Sequence, residues 1–280
     1  MRVIETSELT NKIKEMLLEA CTTLPKCNLS FLKKAQKNET SEYGKYILEK
    51  IIENDELAIE TKDPICQDTG IVTCFLEIGL DVHFTGDIYE AVNEGVRQAY
   101  KDGYFRKSVV SNPLIRKNSN DNTPAIVHIK LKPGDQVKIE VAPKGAGSEN
   151  MSFLKMMIPS DGVENIKRLV LDAIKNFGGK PCPPIIVGIG IGGNFEKCAI
   201  MAKEALLREI DDHSDDPTIA RLESELLEEI NKLGIGPMGF GGKTTCLGVK
   251  INTFPCHIAS LPVAVNIQCH AARHVKSYLW

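Results

Sequence analysis

The chain has 280 residues, of which 42% are hydrophobic and 25% are charged, and its formal net charge is −3. These proportions are typical of a globular protein, and 34 basic against 37 acidic residues leave no concentrated basic surface for nucleic acid. No apolar run reaches the roughly 18 residues that span a bilayer, and the first twenty residues lack the apolar core of a secretory signal. We therefore expect a cytoplasmic protein with neither a nucleic-acid nor a membrane partner.

Apolar residues spaced three or four apart predict helices in the first hundred residues. One helix is expected over 9–21 with Thr6 or Ser7 as its cap, another over 43–52, and a third that begins at Asp87. The segment KDPICQDTG between the second and third helices predicts a loop, and the apolar, β-branched run after it (71–78) predicts a strand. A long polar loop is expected over 103–124, and long loops inside compact domains are often functional.

The second half of the sequence predicts a mixture of strands and helices. Two alternating segments, 125–131 and 137–142, are joined by KPGDQ and predict a β-hairpin. Helices are expected near 166–174, from Asn194 and over 217–232, and short strands dominate the last third of the chain. The pattern predicts an α+β fold, with a helical N-terminal region followed by mixed α/β lobes. It favours one domain over 1–280, with a possible division into two lobes near 150–180.

Nine cysteines are the most unusual feature of the composition. Their number is odd and no export signal precedes them, so a disulfide framework is not expected in a reducing compartment. The remaining roles for these residues are apolar packing, metal or cluster ligation, and nucleophilic chemistry. The cysteines are Cys21, Cys27, Cys66, Cys74, Cys182, Cys198, Cys246, Cys256 and Cys269.

Sequence context divides the cysteines into two groups. Cys21, Cys74 and Cys198 lie in periodic apolar segments and are interpreted as packing residues. Cys27, Cys246 and Cys256 lie near segment ends, where the role stays open and packing is favoured. Cys66 and Cys182 lie in Pro- and Gly-containing segments that fix the backbone outside regular elements, and Cys269 lies in QCHAAR. These three are the candidates for chemistry.

Other signals for a metal or cofactor site are weaker. The sequence contains no CxxC motif, which zinc ribbons and ferredoxin-type clusters normally carry. His257, His270 and His274 lack the HExxH spacing and are interpreted as solvated or packed side chains. The segment GIGIGGN (188–194) matches GxGxxG, but no second strand ends in an acidic residue about 20 positions later, which argues against nicotinamide binding.

Eight short motifs occur in an order that resembles the class I iron–sulfur fumarate hydratases, and their alpha subunit in particular. Tartrate dehydratase alpha subunits share this pattern. In chain order, the motifs are KDPICQDTG, YFR, SNPLIRKN, DNTPA, KGAGSEN, CPP, FGGKTT and QCHAAR. The resemblance extends over roughly residues 5–275, and the CQDTG loop followed by CPP is its most specific part.

The resemblance implies a [4Fe–4S] cluster with three cysteine ligands and one open iron. By position in the motifs, the ligands would be Cys66, Cys182 and Cys269, the catalytic residue Asp68, and the substrate-binding residues Gln67, Arg106 and Gly147. Lys144 and Lys243 could add positive potential, although lysines in such loops are more often solvated. Two positions depart from the family pattern: Leu261 replaces a further cysteine of single-chain relatives, and Ala272 replaces an acidic residue before Arg273.

Three functions remain open at this point. The first is the alpha subunit of a fumarate hydratase, which interconverts fumarate and (S)-malate and needs a beta subunit in an α2β2 heterotetramer. The second is the alpha subunit of an L-tartrate dehydratase, which releases water from tartrate to give oxaloacetate. The third, from another class, is a thiol-rich metal or cluster binding protein without catalysis. In either enzyme, the open iron implies sensitivity to oxygen.

Overall fold

A computed structural model describes residues 1–279 and has an α+β fold. The helices are α1 (Thr6–Thr22), α2 (Lys26–Asn38), α3 (Glu42–Thr61), α4 (Ile88–Asp102), α5 (Ala146–Glu149), α6 (Gly162–Phe177), α7 (Phe195–Ala205) and α8 (Pro217–Lys232). None of the helices described is long and apolar enough to cross a membrane.

The strands are short and are divided among three sheets. They are β1 (Arg2–Ile4), β2 (Ile71–Gly79), β3 (Val82–Phe84), β4 (Ile126–Lys132), β5 (Val137–Lys144), β6 (Phe153–Met157), β7 (Ile185–Gly192), β8 (Cys246–Phe254), β9 (Leu261–Gln268) and β10 (Val275–Leu279). Strands β1 and β3 form a parallel pair, and the other eight form two four-stranded sheets.

The chain is divided into two compact units. Unit 1 consists of Met1–Pro25, Asn54–Ala146 and the segment from Arg273 onward, whereas unit 2 consists of Lys26–Glu53 and Gly147–Ala272. Each unit therefore contains one of the four-stranded sheets, and one boundary between the units lies within α3.

The sheet of unit 1 has the strand order β10-β5-β2-β4, with β2 parallel to β4 and antiparallel to β5. The predicted hairpin between the two alternating segments is therefore wrong, because β2 lies between β4 and β5. Seven of the nine residues of β2 are buried, and a strand with so little polar surface is covered best at the centre of a sheet.

Two helices contribute to the core of unit 1 and agree with the periodicity of the sequence. The predicted apolar face of α1 is buried, from Leu9 to Cys21, and it packs in one cluster with α4 and the strands. At the start of α1, however, the Glu8 carboxylate accepts the Glu5 backbone N–H at 3.3 Å, so the cap lies before Thr6. The Asp87 side chain caps α4 as predicted, because it accepts two backbone N–H groups of the first turn.

The sheet of unit 2 has the strand order β6-β9-β7-β8 and is covered by helices. Alternate residues of a strand face opposite sides, and Ile185, Val187 and Ile189 of β7 belong to the core that includes α6 and α8. On the intervening positions, a Cβ at Gly188 or Gly190 would overlap backbone atoms of α7. The glycines of GIGIGG therefore allow a helix backbone to approach the strand closely.

Candidate functional site

Strand register brings four motif loops of unit 1 to one end of its sheet. CQDTG immediately precedes β2, and Ile71 at the start of β2 pairs with Lys144 at the end of β5. In the same way, β4 begins beside Thr73 and β10 begins beside Val141. The segments next to these ends, 66–70, 122–125, 145–146 and 273–274, are therefore neighbours although they are far apart in sequence.

The carboxylate of Asp68 is held by backbone N–H groups from two of these loops. Its Oδ2 accepts the Ala146 N–H at 2.8 Å, and its Oδ1 accepts the Gly70 N–H at 3.1 Å. A Cβ at Gly145 would lie 3.1 Å from Oδ2, so glycine at this position leaves room for the carboxylate. Two donors on two oxygens fix the direction of the side chain, which a solvated aspartate in a simple turn would not require.

Buried side chains hold the three carbonyl groups that follow along CQDTG. Arg273 Nη2 donates to Asp68 O at 2.8 Å, the Tyr100 hydroxyl donates to Thr69 O at 2.6 Å, and Asn122 Nδ2 donates to Gly70 O at 3.1 Å. Arg273, Tyr100 and Asn122 are 4%, 0% and 0% exposed. The loop therefore cannot turn without breaking hydrogen bonds on its buried side.

The proposed substrate-binding side chains of unit 1 face outward. Gln67 and Arg106 are exposed, and the Arg106 carbonyl accepts the Thr69 hydroxyl at 2.8 Å. The backbone of Arg106 is therefore attached to CQDTG while its guanidinium remains accessible. Lys144, expected to be solvated, is instead 4% exposed, because it is the last residue of β5 at the centre of this sheet end.

The register of unit 2 brings Cys182 and Cys269 to one end of its sheet. Cys182 lies three residues before β7, Cys269 directly follows β9, and Ile186 pairs with Gln268 in the antiparallel ladder. The His270 N–H donates to the Cys182 carbonyl at 3.3 Å, so the two loops are in direct contact. Cys182 has a φ of 56°, a backbone conformation uncommon for a residue with a side chain.

Glu39 anchors the glycine-rich FGGKTT segment at the same end of unit 2. Its carboxylate, 2% exposed, accepts backbone N–H groups of Lys243 and Thr244 at 2.9 and 3.1 Å. Burial alone would raise the pKa of Glu39, but the backbone N–H donors, of which Lys243 contributes most, outweigh it and lower the pKa. The Lys243 side chain is exposed, as expected.

Gly147, the remaining substrate-binding residue implied by the resemblance, is exposed in the short helix α5 of unit 2. The following residues of this segment are tied to the sheet of unit 2. Asn266 Nδ2 on β9 donates to Glu149 Oε2 at 2.9 Å and to Ser152 Oγ at 2.7 Å. The residues that follow Gly147 are therefore attached to β9.

Burial separates the cysteines, with two corrections to the sequence interpretation. Cys21, Cys74, Cys198 and Cys246 are buried packing residues as predicted. Burial raises the pKa of Cys21 to about 11 and that of Cys246 to about 12, so these thiols remain protonated. Cys256 is exposed and Cys27 is half-buried, so neither is a packing residue.

The local surroundings explain why Cys27 and Cys256 differ from the prediction. The Cys27 sulfur lies within 4.8 Å of carboxylate oxygens of Glu209 and Asp211, and burial together with the neighbouring Asp211 raises its pKa. Cys256 lies in the loop after β8, where its thiol contacts the Ser260 carbonyl at 3.3 Å. Both residues are at element ends, where periodicity does not indicate a face.

The three proposed cluster ligands share a different setting. Cys66, Cys182 and Cys269 are half-buried residues in loops, outside the buried clusters that form the two cores. Gln268 Nε2 donates to the Cys269 sulfur at 3.4 Å. Cysteine thiolates are the ligands that iron–sulfur clusters use, so the residue type at each of these three positions suits such a group.

Sequence reasoning missed the residues that support the site from behind. Tyr100 and Glu39 belong to none of the motifs of the sequence. Arg273 follows Ala272, a position that departs from the family pattern, and Asn122 belongs to DNTPA, where the resemblance implies no role for it. Strand register is the missing signal, because it decides which segments are neighbours.

Comparisons with known proteins agree with the motifs. The family described as fumarate hydratase (Fumerase) matches residues 10–277. The "Putative L(+)-tartrate dehydratase subunit alpha" of Methanocaldococcus jannaschii is 47% identical over 273 residues, which cover 95% of each chain. The L(+)-tartrate dehydratase subunit alpha of Escherichia coli strain K12 is 30% identical over 270 residues, 95% of this chain and 89% of the relative.

These matches define the class of the protein, an iron–sulfur hydro-lyase. Within that class, the chain belongs to the fumarate hydratase family, as the resemblance of its motifs predicted.

Proposed function

We propose that this chain is the alpha subunit of a [4Fe–4S]-dependent hydro-lyase that acts on a C4-dicarboxylate. The reaction is the reversible addition of water to fumarate to give (S)-malate. One observation carries the proposal: Asp68, two residues after Cys66, is oriented by backbone N–H groups of Gly70 and Ala146 at the loop-bearing end of its sheet. The family match over residues 10–277 supports it.

The proposed cluster ligands are Cys66, Cys182 and Cys269. A cluster with three cysteine ligands supplies a Lewis-acidic iron, which polarises a hydroxyl group so that it can leave as water. None of the nine cysteines among residues 1–279 forms a disulfide, which suits a reducing compartment, so the proposal places the enzyme in the cytoplasm.

The other residues of the chain bind the substrate and move a proton. The exposed Arg106 guanidinium offers parallel N–H donors to one substrate carboxylate, and the Gln67 amide and the backbone at Gly147 add hydrogen bonds. Asp68, fixed in direction by its two N–H donors, exchanges the proton at the carbon adjacent to the one that bears the leaving hydroxyl. Arg106 is held through its carbonyl by Thr69, so the proposed binding and catalytic residues share one loop framework.

L-tartrate is the second candidate substrate, and a specific observation favours it. The relative from Escherichia coli is named L(+)-tartrate dehydratase subunit alpha, and the relative at 47% identity carries the same name with the word "Putative" before it. Tartrate differs from malate by one further hydroxyl group, and its dehydration to oxaloacetate requires the same removal of water. The same cluster ligands and the same carboxylate can serve both reactions.

The proposal includes a beta subunit, because the relatives are named as alpha subunits. We propose an α2β2 heterotetramer in which the beta subunit completes the site. The chain alone is then expected to hold a cluster but to show no turnover.

Anaerobic reconstitution tests the proposal. The chain is loaded with iron and sulfide, mixed with the candidate beta subunit, and assayed side by side with fumarate, (S)-malate and L-tartrate. Turnover of fumarate and malate supports the first substrate, whereas turnover of tartrate alone selects the second. A complex that turns over none of the three refutes the proposed function.

Cysteine substitutions separate the enzyme from a thiol-rich binding protein of another class. Replacement of Cys66, Cys182 or Cys269 by Ser is expected to abolish the broad visible absorbance of the cluster, whereas the matched Cys256→Ser variant keeps it. Loss of absorbance on replacing Cys256 but not Cys66 would show that the ligand assignment is wrong. Metal binding without a partner, and no activity with one, would favour the binding protein.

A further inference from the structure

Arg273 is a buried cation of unit 1 that forms no direct ion pair with the described residues. It is 4% exposed, and its one hydrogen bond runs from Nη2 to the carbonyl oxygen of Asp68 at 2.8 Å. Its Nε and Nη1 atoms are buried and have no hydrogen-bond partner among residues 1–279. No carboxylate oxygen of the described residues lies within ion-pair distance of its guanidinium. Buried charges are normally paired, and an unpaired one is costly.

The surroundings of Arg273 show which kind of side chain would suit position 273. The guanidinium lies close to Cys21 and Tyr100, both 0% exposed, where its charge opposes the rise in their pKa values that burial causes. On its other side, Nη2 would lie 3.8 Å from a Cβ at Gly145, next to the Asp68 carboxylate. The guanidinium therefore fills the space between a closed core and the loop that carries Asp68. An apolar side chain would fill that space without the cost of a buried charge, so packing alone does not explain an arginine.

We propose that Arg273 is a positioning residue for Asp68. By holding the Asp68 carbonyl from the buried side, it fixes the peptide group whose rotation would turn the carboxylate away from the N–H groups of Gly70 and Ala146. The inference rests on the proposed function, in which Asp68 is the catalytic carboxylate. It also accounts for Ala272, because a positioning role through a carbonyl group needs no acidic neighbour.

Arginine suits this task better than lysine. Its guanidinium is planar and holds several donors in one fixed direction, whereas a lysine ammonium is a point charge on a flexible stem. A lysine at 273 would keep the charge but would not hold the carbonyl in the same geometry. The pair of variants Arg273→Met and Arg273→Lys therefore separates side-chain volume, charge and direction.

Hydrogen exchange of the full chain tests the positioning role without any activity measurement. In Arg273→Met, the amides of Gly70 and Ala146 are expected to exchange at least about tenfold faster, because both donate to a carboxylate that is no longer held. The ladder amides of Leu76 and Ile139 should be unchanged. The matched surface variant Lys276→Met, at an exposed position three residues later, should alter none of them.

Two results would overturn the inference. Unchanged exchange at Gly70 and Ala146 would show that Arg273 does not hold the loop, and equally faster exchange at all amides would show a general structural role. If Arg273→Met fails to fold, Arg273→Lys is measured in the same way, with the same two amides as the readout.

Kinetics of the loaded complex give a second, independent readout. A misdirected catalytic group lowers kcat, so Arg273→Met is expected to lose about tenfold to a hundredfold in kcat with little change in KM. Added guanidinium ion should restore part of the lost rate, whereas the same concentration of sodium chloride should not. A raised KM with unchanged kcat would instead make Arg273 a substrate-binding residue and refute the proposal. If the complex acts on none of the dicarboxylates, the proposed function fails, and the exchange data still decide whether Arg273 positions the loop.

Discussion

The buried Asp55 makes the stability of the chain depend on pH in a direction opposite to that of most carboxylates. Asp55 lies on α3 and is 0% exposed, its Oδ1 is 3.5 Å from Asn54 Nδ2, and its Oδ2 has no partner among residues 1–279. Burial raises its pKa from 3.8 to about 7. The adjacent Asn54 donates to the Ile65 carbonyl at 2.9 Å, next to the proposed ligand Cys66.

The sign and size of the effect follow from proton linkage. Between pH 3.8 and about 7, the folded chain keeps the Asp55 proton and the unfolded chain has lost it. The free energy of unfolding therefore falls as pH rises through this window, and the contribution is constant above it. A difference of about 3 in pKa corresponds to about 4 kcal/mol, at about 1.36 kcal/mol per pKa unit.

The Asp55→Asn variant removes the titration and keeps the shape of the side chain. We expect it to be about as stable as the parent chain at pH 4 and more stable at pH 8, by up to about 4 kcal/mol. Urea unfolding from pH 4 to 8 measures the difference, and Asp63→Asn, at an exposed position nearby, is the control. Parallel pH profiles for the parent and Asp55→Asn would refute the reasoning.

Three further changes test other parts of the structure. Gly70→Ala should lower the free energy of unfolding by about 2 kcal/mol or more in urea titrations. The reason is that Gly70 has a φ of 77° and its Cβ would lie 2.6 Å from the Lys144 backbone. A smaller loss than for Gly147→Ala, where the new Cβ would have no atom within 4 Å, would contradict this. Glu39→Ala should cost about 2 kcal/mol in thermal unfolding, since buried backbone N–H groups lose their acceptor, and an unchanged melting temperature would show that the turn is held otherwise. Iodoacetamide at pH 8 should label the exposed Cys256 of the native chain but spare the buried Cys74, and mass spectrometry that finds Cys74 labelled before unfolding would refute the burial argument.

Local periodicity predicted the elements of the fold well, because a helix or strand face depends on nearby residues. The burial of Leu9 to Cys21 in α1 and the cap at Asp87 both follow from spacing within one or two turns. The pairing of strands does not, since it joins distant segments. The sequence of β4 and β5 is consistent with a hairpin. In the structure the two strands lie on either side of β2, because the buried β2 needs a neighbouring strand at each edge.

For the candidate site too, the sequence predicts the residues within local motifs but not the residues that support them from other segments. Motif resemblance supplied Cys66, Asp68 and Arg106, because their loops have specific local sequences. The residues behind the loops are not found in this way: Tyr100 and Arg273 act through backbone carbonyl groups, which any sequence provides. Such support becomes visible only when the register of the sheet is known.

The end of the unit 1 sheet that lies away from CQDTG offers a position for inserting a label. There Leu80, 64% exposed, follows β2, and its N–H donates to the Lys132 carbonyl, while the Gly79 N–H donates to the Gln136 carbonyl. This end lies roughly 26 Å from the start of β2, as the eight steps from Ile71 to Gly79 require. A fluorescent reporter or an affinity tag inserted at the exposed 133–135 turn, between β4 and β5, would therefore label the protein at a distance from the proposed catalytic residue Asp68.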